Sequence, residues 1–113
     1  RIVLHGIGTA EEMARRRGLA PEYVALLERG GAVGEAFGYY FDRSGSIVFT
    51  TSSVGLRFED LAGVELVLAV GGGRSKAEAS LAVLSTRNQD VYITDEGAAL
   101  EMLRRLAQNQ KEE

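Results

Sequence analysis

Three consecutive glycines, Gly71 to Gly73, stand between the apolar residues Leu68 to Val70 and the polar stretch Arg74-Ser75-Lys76. These residue types suit an anion. Glycines let backbone approach a ligand closely, and a helix starting just after them offers unpaired N–H groups and a positive dipole end. Lys76 adds a mobile positive charge, and phosphate is the natural guest of such a loop. The same pattern also serves as a plain strand-to-helix turn capped by Ser75, and the residues alone leave both uses open. Two stricter phosphate motifs are excluded. No Gly-Lys-Ser/Thr follows at P-loop spacing, and Lys76 stands where the dinucleotide fingerprint needs its last glycine.

Other residues with chemical potential are scattered. Asp95-Glu96 follows a second short apolar run, where acids either cap a helix or accept hydrogen bonds from sugar hydroxyls. Glu35 lies among Val33, Ala36 and Phe37, so its charge must reach water or meet a partner. Arg15, Arg16 and Arg17 cover most of a helical turn, so at least one points inward or toward a partner, and an arginine fork suits phosphate. His5 at a strand end reads as a hydrogen-bonded structural histidine. The Tyr39-Tyr40 pair reads as packing.

The elements that must position these residues follow from pattern. Ile2 to Gly8 is a β-branched strand ending in glycines. Thr9-x-x-Glu12 is a capping box that opens a helix over Ala10 to Arg17, stopped by Gly18. Pro21 suits the first turn of a second helix, to about Glu28. Ala36 to Asp42 and Ser46 to Thr51 read as two extended arms of a hairpin around Asp42 to Gly45. Phe58 to Gly63 is a short helical turn. Val64 to Val70 is apolar but for Glu65, as a buried parallel strand is. Ser75-x-x-Glu78 predicts a capping box for a helix over Lys76 to Ser85, with Ala77, Leu81 and Leu84 as its apolar stripe. Asp90 to Thr94 is a further strand. The last helix is expected to bury Ala99, Met102, Leu103 and Leu106 and to fray at residues 108–113. Strand–helix–strand–helix from Val64 onward predicts an α/β fold with a parallel sheet and flanking helices, plus a β-hairpin excursion.

Composition narrows the function. The chain has 113 residues, 45% hydrophobic, with net charge -3. That fits one domain with a core, and the acidic balance argues against a nucleic-acid-binding surface. No cysteine and a single histidine exclude disulfides, thiolate chemistry and multi-histidine metal sites. No catalytic set, metal or cofactor is expected. No membrane span or leader stands out, so cytoplasm is the default. Arg1 is followed at once by a strand, which is expected of a fragment.

Several stretches occur together in order: "HGIG", "MARRR", "GAVGEAFGYYFD", "SVGLRFEDL", "LAVGGGRSKAEA" and "VYITDEGAA". This ordered set resembles the effector-binding domain of the SorC/DeoR-type bacterial sugar-responsive transcription regulators, in its glycolytic-repressor branch. The resemblance runs from Leu4 to about Leu106. It implies a Rossmann-like fold similar to the glucosamine-6-phosphate deaminase, ribose-5-phosphate isomerase and CoA-transferase group. It also implies an effector that is a phosphorylated sugar, fructose 1,6-bisphosphate in that branch. Carried onto this chain, Lys76 and the backbone of Gly72, Gly73 and Ser75 hold a phosphate, Arg16 contacts the sugar phosphate, and Glu35 bonds sugar hydroxyls. Asp95 is a weaker candidate nearby. Glu35 stands where many members carry Asp, which fits the glycolytic branch. The early glycine- and serine/threonine-rich loop and the operator-binding helix-turn-helix have no counterpart here. Residues 1–113 are therefore expected to be the C-terminal part of the effector domain, with bare apolar faces and a tendency to form homo-oligomers. The rival readings are an isomerase- or deaminase-like enzyme on the same fold, and an oligomerisation module with an empty glycine loop.

Overall fold

The computed structural model describes residues 1–51 and 57–112. The chain runs β1 (Ile2–Gly6), β2 (Gly8–Thr9), α1 (Ala10–Arg17), α2 (Pro21–Arg29), β3 (Ala32–Ala36), β4 (Tyr39–Asp42) and β5 (Ile47–Thr50). A 3-10 segment at Phe58–Gly63 leads to β6 (Leu66–Val70). A 3-10 turn at Arg74–Lys76 leads to α3 (Ala77–Leu84), then β7 (Val91–Ile93) and α4 (Glu96–Glu112). The first four residues of the "SVGLRFEDL" motif lie outside the described residues.

The parallel sheet has the order β1-β6-β7 and the antiparallel sheet the order β2-β3-β4-β5. The expected α/β architecture is therefore present, with β6 central and the glycine loop at its carboxyl end. The antiparallel part is larger than the single hairpin expected. Ala36 to Asp42 is not one extended arm: Phe37 and Gly38, with φ of 57° and 84°, turn the chain back so that β3 pairs with β4. Glu35 supports this turn by accepting the Gly38 N–H at 2.8 Å.

The parallel strands are apolar on both faces, as strands between two helical layers are. On the inner face Val67 and Ala69 are buried, and Ala69 joins a core with Ile7, Phe41, Ala79, Ala82 and Val83, against which Tyr92 packs. Gly34 in β3 is needed there. A Cβ on it would lie 2.9 Å from the carbonyl oxygen of Ala79, so glycine lets β3 lie directly on α3. The outer face aligns Leu4, Leu68 and Val91 in one row and Val70 with Ile93 in the next. Nothing described covers it: Ile2, Leu4, Val70, Val91 and Ile93 are 39 to 69% exposed.

Local signals placed α1 as expected. Thr9 Oγ1 accepts the Glu12 N–H at 3.2 Å, and Gly18 ends the helix in the left-handed region. Four other expectations fail. Ser75 does not cap α3, because the 3-10 turn at Arg74–Lys76 precedes the helix and Glu78 instead pairs with Arg43 and Arg105. The buried set of α3 is Ala77, Ala79, Ser80, Ala82 and Val83, while Leu81 and Leu84 are half-buried. In α4, Leu103 and Leu106 are exposed and the buried residues are Ala98 and Glu101. The helix also continues to Glu112 where fraying was expected. Glu101 is 6% exposed because Arg74, Arg104 and Arg105 all reach it. Hydrogen bonding from Arg104, then its charge, with help from Arg105 and Arg74, holds the Glu101 carboxyl down at about 2 despite some desolvation.

Candidate functional site

The glycine loop is built from its ends inward. Gly71 continues the sheet, donating its N–H to Ile93 at 3.1 Å. Its carbonyl accepts the Tyr92 hydroxyl at 3.0 Å, and the tyrosine oxygen lies 2.8 Å from Ser80 Oγ. A carbonyl only accepts, so the single tyrosine proton serves Gly71, and Ser80 donates to the tyrosine. Gly73 has φ 93° and ψ 139°, a conformation that side chains rarely adopt. Its N–H donates to Asp95 Oδ2 at 2.8 Å, and its carbonyl accepts the Lys76 backbone N–H at 3.0 Å. The N–H groups of Gly72, Arg74 and Ser75 find no acceptor among the described residues, and Gly72, Arg74 and Ser75 are exposed. Donors are therefore presented beside Lys76 at the carboxyl end of the central strand, where open α/β sheets take their ligands.

Asp95 is in contact with this loop. It also starts α4, its Oδ1 accepting the Ala98 N–H at 2.9 Å. These backbone bonds, from Ala98 first and Gly73 second, hold its carboxyl below the ordinary range.

Glu35 forms a second group. It is 5% exposed. Its Oε2 accepts from Arg17 Nη2 at 3.1 Å as well as from Gly38, and Arg17 Nη1 donates to the Tyr40 hydroxyl at 3.0 Å. Burial works against the Arg17 charge, but Tyr40 and Glu35 more than offset it and push the guanidinium above its ordinary range. Among the described residues, none donates a hydrogen bond to Oε1 of Glu35. A Cβ on Gly8 would come within 3.6 Å of it.

The two groups are joined through the β1–β2 link. Gly71 lies against Ile7, and the next residue, Gly8, pairs with Glu35 in the sheet. Arg16 is not brought to either group. It is exposed and pairs with Glu12 one turn back, 2.6 Å away. Arg17 is the residue that sequence reasoning missed. Its signal was indirect: a buried acid at 35 requires a cation, and "RRR" offers three. Arg15 faces a cleft of about 480 Å³ that Ser75 also lines, together with Thr9, Glu12 and Glu78. His5 is structural, its Nδ1 2.9 Å from the Gly6 carbonyl oxygen and its ring 4.6 Å from that of Phe37.

Comparison with known proteins identifies the family. Residues 1–104 match the family described as "Putative sugar-binding domain". The chain is 45% identical over 103 residues to the central glycolytic genes regulator of Priestia megaterium and 43% identical to that of Bacillus subtilis, covering 91% of this chain and 30% of each relative. Among crystal structures, a "putative SorC family transcriptional regulator" from Enterococcus faecalis superposes with a TM-score of 0.86 at 39% identity, over 90% of this chain and 42% of that one. A transcriptional regulator from Streptococcus pneumoniae superposes with a TM-score of 0.80 at 27% identity, over 94% and 43%. The chain thus spans less than half the length of these relatives. With its glycine loop at the end of a central parallel strand, it belongs to the SorC/DeoR-type family of sugar-binding domains of transcriptional regulators and stands near the central glycolytic genes regulators in sequence.

Proposed function

We propose that residues 1–113 are the C-terminal part of an effector domain that senses a phosphorylated sugar, fructose 1,6-bisphosphate, for a cytoplasmic repressor of glycolytic genes. The observation that carries this reading is the set of free N–H donors at Gly72, Arg74 and Ser75 beside Lys76, at the carboxyl end of β6. One phosphate sits on Gly72, Gly73, Ser75 and Lys76. Gly73 contributes there by holding the loop open, since its N–H is already taken. Glu35 keeps Oε1 for a sugar hydroxyl. Arg16, exposed on α1, reaches the sugar phosphate only by leaving Glu12. The bound sugar shifts the population between arrangements of a homo-oligomer, by its difference in affinity for them. The oligomer holds operator DNA through a helix-turn-helix carried elsewhere. The sensor binds its ligand and releases it unchanged.

Calorimetric titration of the chain with fructose 1,6-bisphosphate, beside its Lys76→Ala variant, tests this. Saturable binding lost in the variant is expected. Binding that survives the variant moves the phosphate elsewhere. If neither this chain nor the full-length regulator binds, the effector assignment is wrong. Turnover of sugar phosphates by the chain would replace the sensor with an enzyme of the isomerase or deaminase type.

A further inference from the structure

We propose that Asp95 is the positioning residue of the glycine loop: its carboxylate ties Gly73 to the first turn of α4, so that loop and helix keep one relative placement. Both oxygens are committed. Oδ2 accepts from Gly73 at 2.8 Å and Oδ1 from Ala98 at 2.9 Å. The fit is close on two sides. A Cβ on Gly72 would stand 2.9 Å from Oδ2, and one on Gly97 would stand 3.7 Å from Oδ1. The carboxylate therefore lies against backbone that glycine leaves open, although Asp95 as a whole is exposed.

The bridge has a counterpart at the other end of the loop. Tyr92, from β7, holds the Gly71 carbonyl, and Ser80, from α3, holds Tyr92. The chain between these two anchors contains Gly72 and the φ 93° conformation of Gly73. A loop of glycines loses much conformational freedom when it is ordered, and anchors fixed in advance reduce what a ligand must supply. Asp95 carries a negative charge next to a site for anions, which opposes binding. Its geometric role must outweigh that repulsion, and the dipole of α4 offsets part of it. Asp95 thus acts on the ligand through the loop and does not touch it. Only this last step rests on the phosphate reading; the bridge itself does not.

Asp95→Asn separates the two effects. Asparagine presents one acceptor oxygen where aspartate presents two, so either the Gly73 bond or the Ala98 cap bond is lost, depending on which way the amide turns, in a residue that still suits a helix start. The first readout needs no ligand: amide hydrogen exchange of Gly73 and Ala98, by NMR on the intact chain. At least one of the two is expected to exchange about tenfold faster in the variant, as for loss of a charge-assisted bond. The second readout is titration with inorganic phosphate, followed at the Gly72, Arg74 and Ser75 amides. A charged bystander gives tighter phosphate binding when its charge is removed. A positioning residue gives weaker binding, here by about threefold or more. Gly72→Ala, which crowds the carboxylate from the loop side, is expected to speed exchange at Gly73 or Ala98 in the same way and serves for the exchange readout alone if Asp95→Asn does not fold. Unchanged exchange at both amides, or tighter phosphate binding, overturns the proposal. If the wild-type chain does not respond to phosphate, the phosphate reading of the loop fails, and the exchange result alone decides the bridge.

Discussion

Arg17 crosses from the end of α1 to β3 and places Nη2 3.1 Å from Glu35 Oε2, while its neighbour Arg16 pairs with Glu12 on its own helix. The two arginines are adjacent in sequence and differ in consequence. Arg17→Met leaves a buried carboxylate without its counter-charge. The expected loss is about 2 kcal/mol, below the ~3–5 of a fully buried pair because a third of the Arg17 side chain meets water. Arg16→Met removes an exposed i,i+4 pair and is expected to stay within about 0.5 kcal/mol. Urea denaturation of the two variants checks this, and equal losses would sink the distinction.

Gly34 and Gly63 make a second contrast. Alanine at 34 drives its Cβ into the backbone of Ala79, at 2.9 Å from the carbonyl oxygen and 3.1 Å from Cα. Neither neighbour is a flexible side chain, so β3 must lift from α3, at a cost of about 1–3 kcal/mol. Alanine at 63 meets nothing within 4 Å and is expected to be neutral or slightly stabilising. Thermal melts of both variants give the comparison directly.

Acid is expected to destabilise the chain through Glu101. Its carboxyl is held at about 2 against an ordinary 4.5, so the unfolded chain binds the proton first as pH falls. The contribution is complete above about pH 4.5 and is lost as pH falls through about 2. Asp95 and Asp42, both also lowered, act in the same sense. In Glu101→Gln the slope of melting temperature against pH should flatten across this window. A slope equal to wild type would show that the arginines do not hold the carboxylate.

The bare outer face of the parallel sheet should be detectable. A hydrophobic dye such as ANS is expected to bind the chain, and replacing Leu4 and Ile93 together by serine should reduce its signal. Both side chains are largely exposed, 67% and 48%, so the melting temperature should move little. A large drop in melting temperature would mean that this face is covered, by a second copy of the chain for instance.

Much of the fold was legible because its signals are local. Thr9 and Gly18 bracket α1 with caps that act within one turn, and the unbroken apolar run before Gly71 marks the central parallel strand, although only its inner face, Val67 and Ala69, is buried. What was not legible depends on distant partners. Three successive arginines point about 100° apart on a helix. Which of them meets Glu35 is decided by the pairing of Gly8 with Glu35, a relation between residues far apart in sequence. The turn at Phe37-Gly38 was hidden because an aromatic residue rarely takes positive φ, and the bond that supports it comes from the Glu35 side chain. In α4 the leucines looked like a core stripe, yet Glu101 takes the inward position because Arg74, on the glycine loop, and Arg105 converge on it. The site was legible as a loop with a lysine. The roles of Arg17 and Asp95 were not, since each is defined by a contact across elements.

The uncovered sheet face also has a calorimetric consequence. The heat capacity of unfolding reports apolar surface newly exposed to water, and for an ordinary domain of this length it is about 1.4–1.7 kcal/mol/K by per-residue scaling. Ile2, Leu4, Val70, Val91 and Ile93 already meet water in the folded chain, so unfolding hydrates less new surface than that scaling assumes. A flatter curve of stability against temperature follows, with weaker cold destabilisation than in a domain whose sheet is covered on both sides. Any polypeptide layer that docks on this face should restore the missing heat capacity in proportion to the area it covers.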